Sequence, residues 1–233
     1  MEKINKLKKL LNQYNLDGYL IPKNDEFFGE YIPENKDRLN FISNFSGSYG
    51  FALVLKNKNY LFVDGRYTLQ ANIQSGKLFK IVTIPKKFPS EILKKKKLKI
   101  GFDPKLHTEK NLKIFFSKTN CSFLPIRQNL IDKFWIRRTN INLQKFYTLP
   151  KKAIGENYKS KINKLVGLLN RKKIDLQFIS SSENIAWLLN FRGKDSDFTP
   201  MPNSYLTIDN NKKVSLFCDL RKIDSYFRRK FKN

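Results

Sequence analysis

Residues 4–12 read I-N-K-L-K-K-L-L-N, and residues 162–170 read I-N-K-L-V-G-L-L-N. The offset is 158, and it persists through Asp17 against Asp175 and Ile21 against Ile179. A self-similarity of this kind is settled first, because it governs how the rest of the chain divides. Ile4, Leu7, Leu10, Leu11 and Tyr14 recur at helical spacing, as do Ile162, Leu165, Leu168 and Leu169. That spacing predicts an amphipathic helix in each copy. A short apolar run follows each helix, G-Y-L-I at 18–21 and L-Q-F-I at 176–179, and suits a strand.

The parallel continues. Residues 39–47 (L-N-F-I-S-N-F-S-G) resemble residues 187–193 (W-L-L-N-F-R-G). Each reads as an apolar helical turn closed by Asn, Phe and Gly, with Gly expected just past the helix end. A strand pair joined by a polar turn comes next, 50–55 with 60–64 and 204–208 with 214–219. The second strands end alike, in L-F-V-D-G-R at 61–66 and L-F-C-D-L-R at 216–221. The first copy goes on to a helix over 67–74, strands over 79–84 and 98–102, a helix near 109–118, a strand over 121–124 and a helix over 129–135. Residues 137–160 are polar, contain Pro150 and Gly155, and read as a linker. The second copy starts near Asn157 and reaches only its counterpart of Arg66. The expected architecture is α/β, with two tandem related domains, 1–150 and 151–233, each a mixed sheet flanked by helices. The second is incomplete, which predicts the front part of a longer protein.

The chain has 233 residues, 40% of them apolar and 14% aromatic. That composition excludes a disordered or low-complexity protein. No window approaches the roughly 18 consecutive apolar residues of a membrane span, and the charged start has no signal-peptide apolar block. Cys121 and Cys218 do not make a disulfide framework. A reducing cytoplasm is the expected setting. Lys and Arg number 46 against 20 Asp and Glu, a net charge of +26. Lys outnumbers Arg 36 to 10, and the bias runs the whole length. The densest runs, 94–97 and 228–232, carry no recognition motif. The charge therefore predicts a solvated basic surface, with only non-specific, salt-sensitive affinity for nucleic acid.

Catalytic chemistry needs convergent groups, and few candidates exist. His107 is the one histidine; without a His-x-x-x-His or Cys-x-x-Cys partner it reads as structural or merely exposed. No Gly-x-Ser-x-Gly elbow is present. The G-S-Y-G at 47–50 lacks the P-loop lysine and reads as a tight turn into a strand. Asp64, Arg66 and Tyr67 at a strand end could place charged groups in a crevice. Alternatively, Asp64 caps the following helix with Arg66 paired to a local carboxylate. Trp187 is expected in the core beside Leu188 and Phe191. Arg192 and Asp195 would form an exposed pair or line a site.

These segments resemble the long form of Xaa-Pro aminopeptidase (aminopeptidase P), in the creatinase/prolidase superfamily. The markers are D-G-Y-L-I-P at 17–22, Glu30 and Tyr31, R-L-N-F-I-S-N-F-S-G-S-Y-G at 38–50, D-G-R-Y-T-L-Q-A at 64–71, and N-I-A-W-L-L-N-F-R-G-K-D at 184–195. The resemblance covers nearly the whole chain. Thr68 departs from it, standing where the family often has an aromatic, and D-F-T-P-M-P at 197–202 matches only loosely. The resemblance implies two related α/β domains ahead of a catalytic domain of the pita-bread fold. That domain would bind two divalent metals, commonly manganese, through two Asp, one His and two Glu. A metal-bound water would attack the carbonyl before a proline. None of those ligands maps onto residues 1–233, so this chain carries no catalytic residue, metal ligand or cofactor of its own. The implied partners of the longer protein are short peptides with proline at position two and a second copy in a homodimer. Asp64, Arg66, Tyr67, Arg192 and Asp195 are the candidate cleft or interdomain residues. The alternative from another class is a stand-alone non-catalytic module that binds peptide or another subunit, with a non-specific nucleic-acid binder third.

Overall fold

A computed structural model describes residues 1–136 and 143–231. Packing divides the chain into two units. The first contains residues 1–26 and 34–139, and the second contains 27–33 and 140–233.

The first unit runs α1 (Glu2–Gln13), β1 (Gly18–Pro22), α2 (Arg38–Ser43), β2 (Phe51–Leu55), β3 (Asn59–Asp64), α3 (Thr68–Ser75), β4 (Lys80–Ile84), α4 (Pro89–Ile92), β5 (Lys99–Phe102), α5 (Glu109–Phe116) and β6 (Ser122–Pro125). Its six strands lie in the order β4-β3-β2-β1-β5-β6. The hairpins β1–β2 and β2–β3 are antiparallel, while β3–β4, β1–β5 and β5–β6 are parallel. Apolar residues cover both faces. One face buries Tyr19, Ile21, Ala52, Val54, Leu61 and Val63 with Ile4, Leu7 and Leu11 of α1. The other buries Leu20, Phe51, Leu53, Leu55, Tyr60 and Phe62 with Leu93 and Phe116. β2 is therefore F-A-L-V-L, apolar at every position and buried at every position, as a strand covered on two sides requires.

The second unit runs β7 (Tyr147–Thr148), α6 (Tyr158–Arg171), β8 (Leu176–Ile179), α7 (Ser182–Leu189), β9 (Phe191–Arg192), β10 (Ser204–Asp209), β11 (Val214–Cys218) and α8 (Ser225–Lys230). Its three-stranded sheet, β11-β10-β8, is antiparallel and repeats β3-β2-β1 register for register. Leu206 faces Ile179 and Leu216 where Ala52 faces Ile21 and Leu61. Here, however, burial alternates along β10. Leu206 and Ile208 enter the core with Val166, Leu169, Ile185 and Leu188. The opposite face carries Tyr205, Thr207 and Asp209. Part of it is met by the segment 27–33, whose Phe27 stacks on Tyr205 at 5.1 Å between ring centroids while Tyr31 meets Phe198 edge-on at 4.9 Å.

Several local expectations are corrected. The helix ends at 44 and 190 are set by asparagine rather than glycine. Asn44 and Asn190 both adopt the left-handed conformation, at φ 62° and 54°, which Asn tolerates better than most residues. The nearby glycines serve close approach instead. A Cβ on Gly47 would lie 2.3 Å from the Phe45 ring, and one on Gly193 would lie 2.7 Å from the backbone of Pro202. Trp187 is not core but 59% exposed. On α7, Ile185, Leu188 and Leu189 share the inward face, and position 187 points away from that i, i+3, i+4 stripe. The expected helix over 129–135 is only the 3-10 turn Ile131–Lys133. Its backbone donors are taken elsewhere: the Leu130 amide donates to the Tyr19 hydroxyl and the Ile131 amide to the Asn129 side chain. The expected linker is partly ordered into the second core, since Phe146 is 2% exposed and Tyr147–Thr148 pairs with β9. Its residues 137–142 lie outside the described residues, as does Lys232 of the C-terminal basic run.

A lysine not singled out by the sequence repeats as well. Lys3 donates to the carbonyl of Phe41 at 2.9 Å with its ammonium 4.4 Å from that ring's centroid. Lys161, at the same place in the second copy, donates to the carbonyl of Trp187 at 2.6 Å and lies 4.2 Å from its ring centroid. Each lysine closes the C-terminal turn of a short helix, where unsatisfied carbonyls favour a cation.

The first unit is pinned by Arg38, 2% exposed. Its Nε and Nη2 donate to the two oxygens of Asp132, both at 2.9 Å, and Nη2 also reaches Glu26 at 3.0 Å. Burial opposes ionisation of Glu26, but Lys36 and Arg38 overcome it and hold its carboxyl at about 2. Replacing Arg38→Ala leaves two carboxylates without their shared fork, and urea unfolding is expected to show a loss of about 3 kcal/mol. Arg38→Lys recovers only part of it, because an ammonium cannot span both carboxylates in that geometry.

His107 sits edge-on to Phe102 at 5.7 Å, and its buried Nε2 has no hydrogen-bond partner. Burial pushes its pKa down from 6.5 to about 4. The folded state thus prefers the neutral ring. Stability is full above the unfolded pKa and falls as the pH drops from 6.5 toward 4, by at most about 1.4 kcal/mol per pH unit. Unfolding midpoints measured across that window should flatten in His107→Phe; an unchanged slope would refute the assignment.

Candidate functional site

The strand-end residues of the first unit form a self-contained claw. Asp64, the last residue of β3, accepts the Arg66 amide at 2.9 Å, Arg66 Nε at 3.2 Å and Nη2 at 2.7 Å. The carboxylate thereby caps the 3-10 turn Gly65–Tyr67. The hydrogen bond from Arg66 holds the Asp64 carboxyl below its usual range. Arg66 remains 70% exposed along its side chain, and Nη1 makes no hydrogen bond among the described residues. Its guanidinium lies 5.1 Å from the Tyr67 ring centroid. The Tyr67 hydroxyl bonds Ser48 Oγ at 2.7 Å, and the Tyr67 ring stands edge-on to Phe45 at 5.8 Å. Of the two expectations for this motif, the local one is seen: Asp64 is a cap paired to Arg66, here of the 3-10 turn, and the arginine it fixes is open to solvent.

The same claw occurs in the second unit. Asp219 accepts the Arg221 amide at 3.0 Å, Nε at 3.0 Å and Nη2 at 2.7 Å. The matching L-F-x-D-x-R ends were the visible signal for it.

Arg192 and Asp195 do not pair with each other. Arg192 Nη1 donates to the carbonyls of Ala186 and Phe191, both at 2.9 Å. The Asp195 side chain is 4% exposed. It accepts the Asn203 amide at 2.7 Å and an ion pair from Lys222. A hydrophobic neighbourhood explains the pairing, since a buried carboxylate demands a cation and several donors. Asp195 holds the loop that leads into β10, while Arg192 ties β9 to α7. Sequence reading missed Lys222, whose partner lies 27 positions away.

Chemically, the candidate carboxylates Asp64, Asp195 and Asp219 are each neutralised by a cation of their own unit. Among the described residues, no three His, Cys, Asp or Glu side chains gather as a metal site would require. What the claws can do is present a fixed, exposed guanidinium, in the first unit beside the Tyr67 ring, a geometry suited to binding a carboxylate.

Comparison with known proteins agrees with this arrangement of units. The family pattern described as Creatinase/Prolidase N-terminal domain matches residues 3–133, and a second pattern of the same description matches residues 137–233. The probable Xaa-Pro aminopeptidase P of Coprinopsis cinerea is 29% identical over 95% of this chain and 37% of its own length. That of Penicillium rubens is 33% identical over 89% of this chain and 35% of its own. The crystal structure of the X-prolyl aminopeptidase from Caenorhabditis elegans, a cytosolic enzyme with a di-nuclear active site, is 28% identical. It superimposes with a TM-score of 0.90 over 99% of this chain and 40% of its own. The chain thus spans about two fifths or less of the length of these relatives and corresponds to their N-terminal part. Two successive sheet units, their repeated claws and both family patterns place the chain in the creatinase/prolidase N-terminal domain family.

Proposed function

We propose that this chain is the N-terminal, non-catalytic part of a metal-dependent aminopeptidase that removes the first residue from peptides with proline at position two. The observation that carries this reading is the near-complete alignment of the chain with little more than a third of each Xaa-Pro aminopeptidase P relative. The reacting centre then belongs to the remaining length. Two divalent ions there, manganese by preference, supply Lewis-acid polarisation and a water of lowered pKa. The protein works in the cytoplasm and pairs as a homodimer.

The role of these two units is to frame the cleft and restrict it to short peptides. Arg66 and Tyr67 are the residues proposed to face peptide, with Asp64 orienting the guanidinium. In the second unit, Arg192 and Asp195 are proposed as cleft or interdomain residues through the backbone that they fix. Arg66 has a donor to spare for the far carboxylate of a short substrate, and its fixed geometry lowers the entropy cost of that contact.

The 1–233 chain with manganese is expected to release no residue from an Xaa-Pro peptide; turnover by this chain alone would contradict the assignment. In the longer protein, Arg66→Ala should raise KM for tripeptides about tenfold with little change in kcat, as loss of one charge-assisted hydrogen bond implies. Unaltered KM would remove Arg66 from the cleft.

A further inference from the structure

The strand registers of the first unit gather lysines at one end of its sheet. Gly18 of β1 lies beside Leu55 of β2 and Ile100 of β5, Tyr60 of β3 beside Lys80 of β4, and Lys99 beside Ser122 of β6. That end therefore carries Lys56 and Lys58 on the β2–β3 turn, Lys80, the run 94–97, Lys99, and Lys118 ahead of β6, all of them exposed. They extend across six strands, a line of about 24 Å at the usual strand spacing. Asp17 stands among them and is already taken, by Lys56 at 3.4 Å and by the Lys99 amide at 2.9 Å. Among the described residues, the other lysines of the line have no ion pair. The opposite end of the same sheet carries the Asp64–Arg66 claw.

The run 94–97 is a fixed turn, not a loose tail. The Lys96 amide donates to the carbonyl of Leu93 at 3.0 Å, Leu93 is fully buried, and Cys121 Sγ donates to the Lys96 carbonyl at 3.5 Å. Lys95 is held in the left-handed region at φ 65°, which is costly for a residue with a Cβ. Four ammonium groups are thus kept together against their mutual repulsion. An anionic surface brought up to them removes that cost.

The composition of the line narrows the partner. It contains no arginine, and its neighbours are Asn57, Asn120 and Ser122 rather than exposed aromatics. It offers neither the fork that reads a base edge nor a ring on which a base stacks. Lysines act as point charges, and a row of them needs only a diffuse field of anions.

We infer that this end of the first unit is a peripheral docking surface for the anionic phospholipid headgroups of a membrane leaflet. Binding is electrostatic and reversible. No apolar side chain enters the bilayer, and each lysine adds to the attraction in the negative surface potential. The Arg66 claw, at the far end of the sheet, stays on the solvent side. The inference is independent of the proposed peptidase activity.

Vesicle cosedimentation tests it on the 1–233 chain and on the longer protein. Phosphatidylcholine vesicles containing about a third phosphatidylserine should bind both, and pure phosphatidylcholine should bind neither. Salt well above about 0.1 M should release them. The combined variant Lys94→Gln, Lys95→Gln, Lys96→Gln and Lys97→Gln should bind at least tenfold more weakly, with an unfolding midpoint no lower than the unaltered chain. Lys58→Gln with Lys80→Gln and Lys118→Gln reaches the same line outside the turn and should weaken binding likewise. A control, Lys86→Gln, Lys87→Gln, Lys105→Gln and Lys110→Gln, removes the same charge toward the other end of the unit and should lose less than threefold. Equal losses in the control and the 94–97 variant would reduce the effect to net charge and overturn the surface. Failure of either protein to bind anionic vesicles would overturn it too. So would displacement by RNA at equal phosphate concentration, which would make nucleic acid the partner.

Discussion

A strand covered on both faces needs an apolar residue at every position, whereas one covered on a single face alternates. β2 and β10 occupy the same register between the same neighbours and differ in this respect. F-A-L-V-L is buried throughout, while S-Y-L-T-I-D is buried at every second residue. The rest of each unit follows. The first supports a core on each side of its sheet. The second builds one core and leaves its other face to Tyr205, Thr207 and Asp209, met by the aromatic segment from residues 27–33. Duplication preserved the pairing of backbones and relaxed the demand on one side of the sheet.

The charges obey a similar rule of local settlement. A chain with a net charge of +26 has few carboxylates, and most of those described have a cation or a backbone amide assigned to them. Asp64 and Asp219 are held by the arginines two residues on. Asp132 and Glu26 share Arg38, and Asp195 takes Lys222. The surplus lysines remain on the surface, as along 94–97.

Much of this was legible in the sequence. The helix, the strand, the short helix and the hairpin of each copy recur where periodicity placed them, because local patterns encode which face of an element is apolar. The Asp64–Arg66 cap was also readable, since both partners lie two residues apart. What escaped was tertiary. Trp187 looks like core by composition, but only its helix's position over the sheet decides which side is inward. The 129–135 segment has helical residues, yet Tyr19, from the far end of the unit, claims a backbone amide. The Lys222–Asp195 pair and the Arg38–Asp132 fork join residues too distant for spacing to announce.

The segment at 27–33 has a bearing on how the protein is made. It leaves the ribosome between two pieces of the first unit, well ahead of its aromatic partner Tyr205. During that interval the ring contacts of Phe27 with Tyr205 and of Tyr31 with Phe198 have yet to form. The first unit must close around a loop it cannot use. The interlacing also means that neither unit corresponds to one uninterrupted stretch of gene. A recombination event cutting between the repeats would strip the later unit of its aromatic cover.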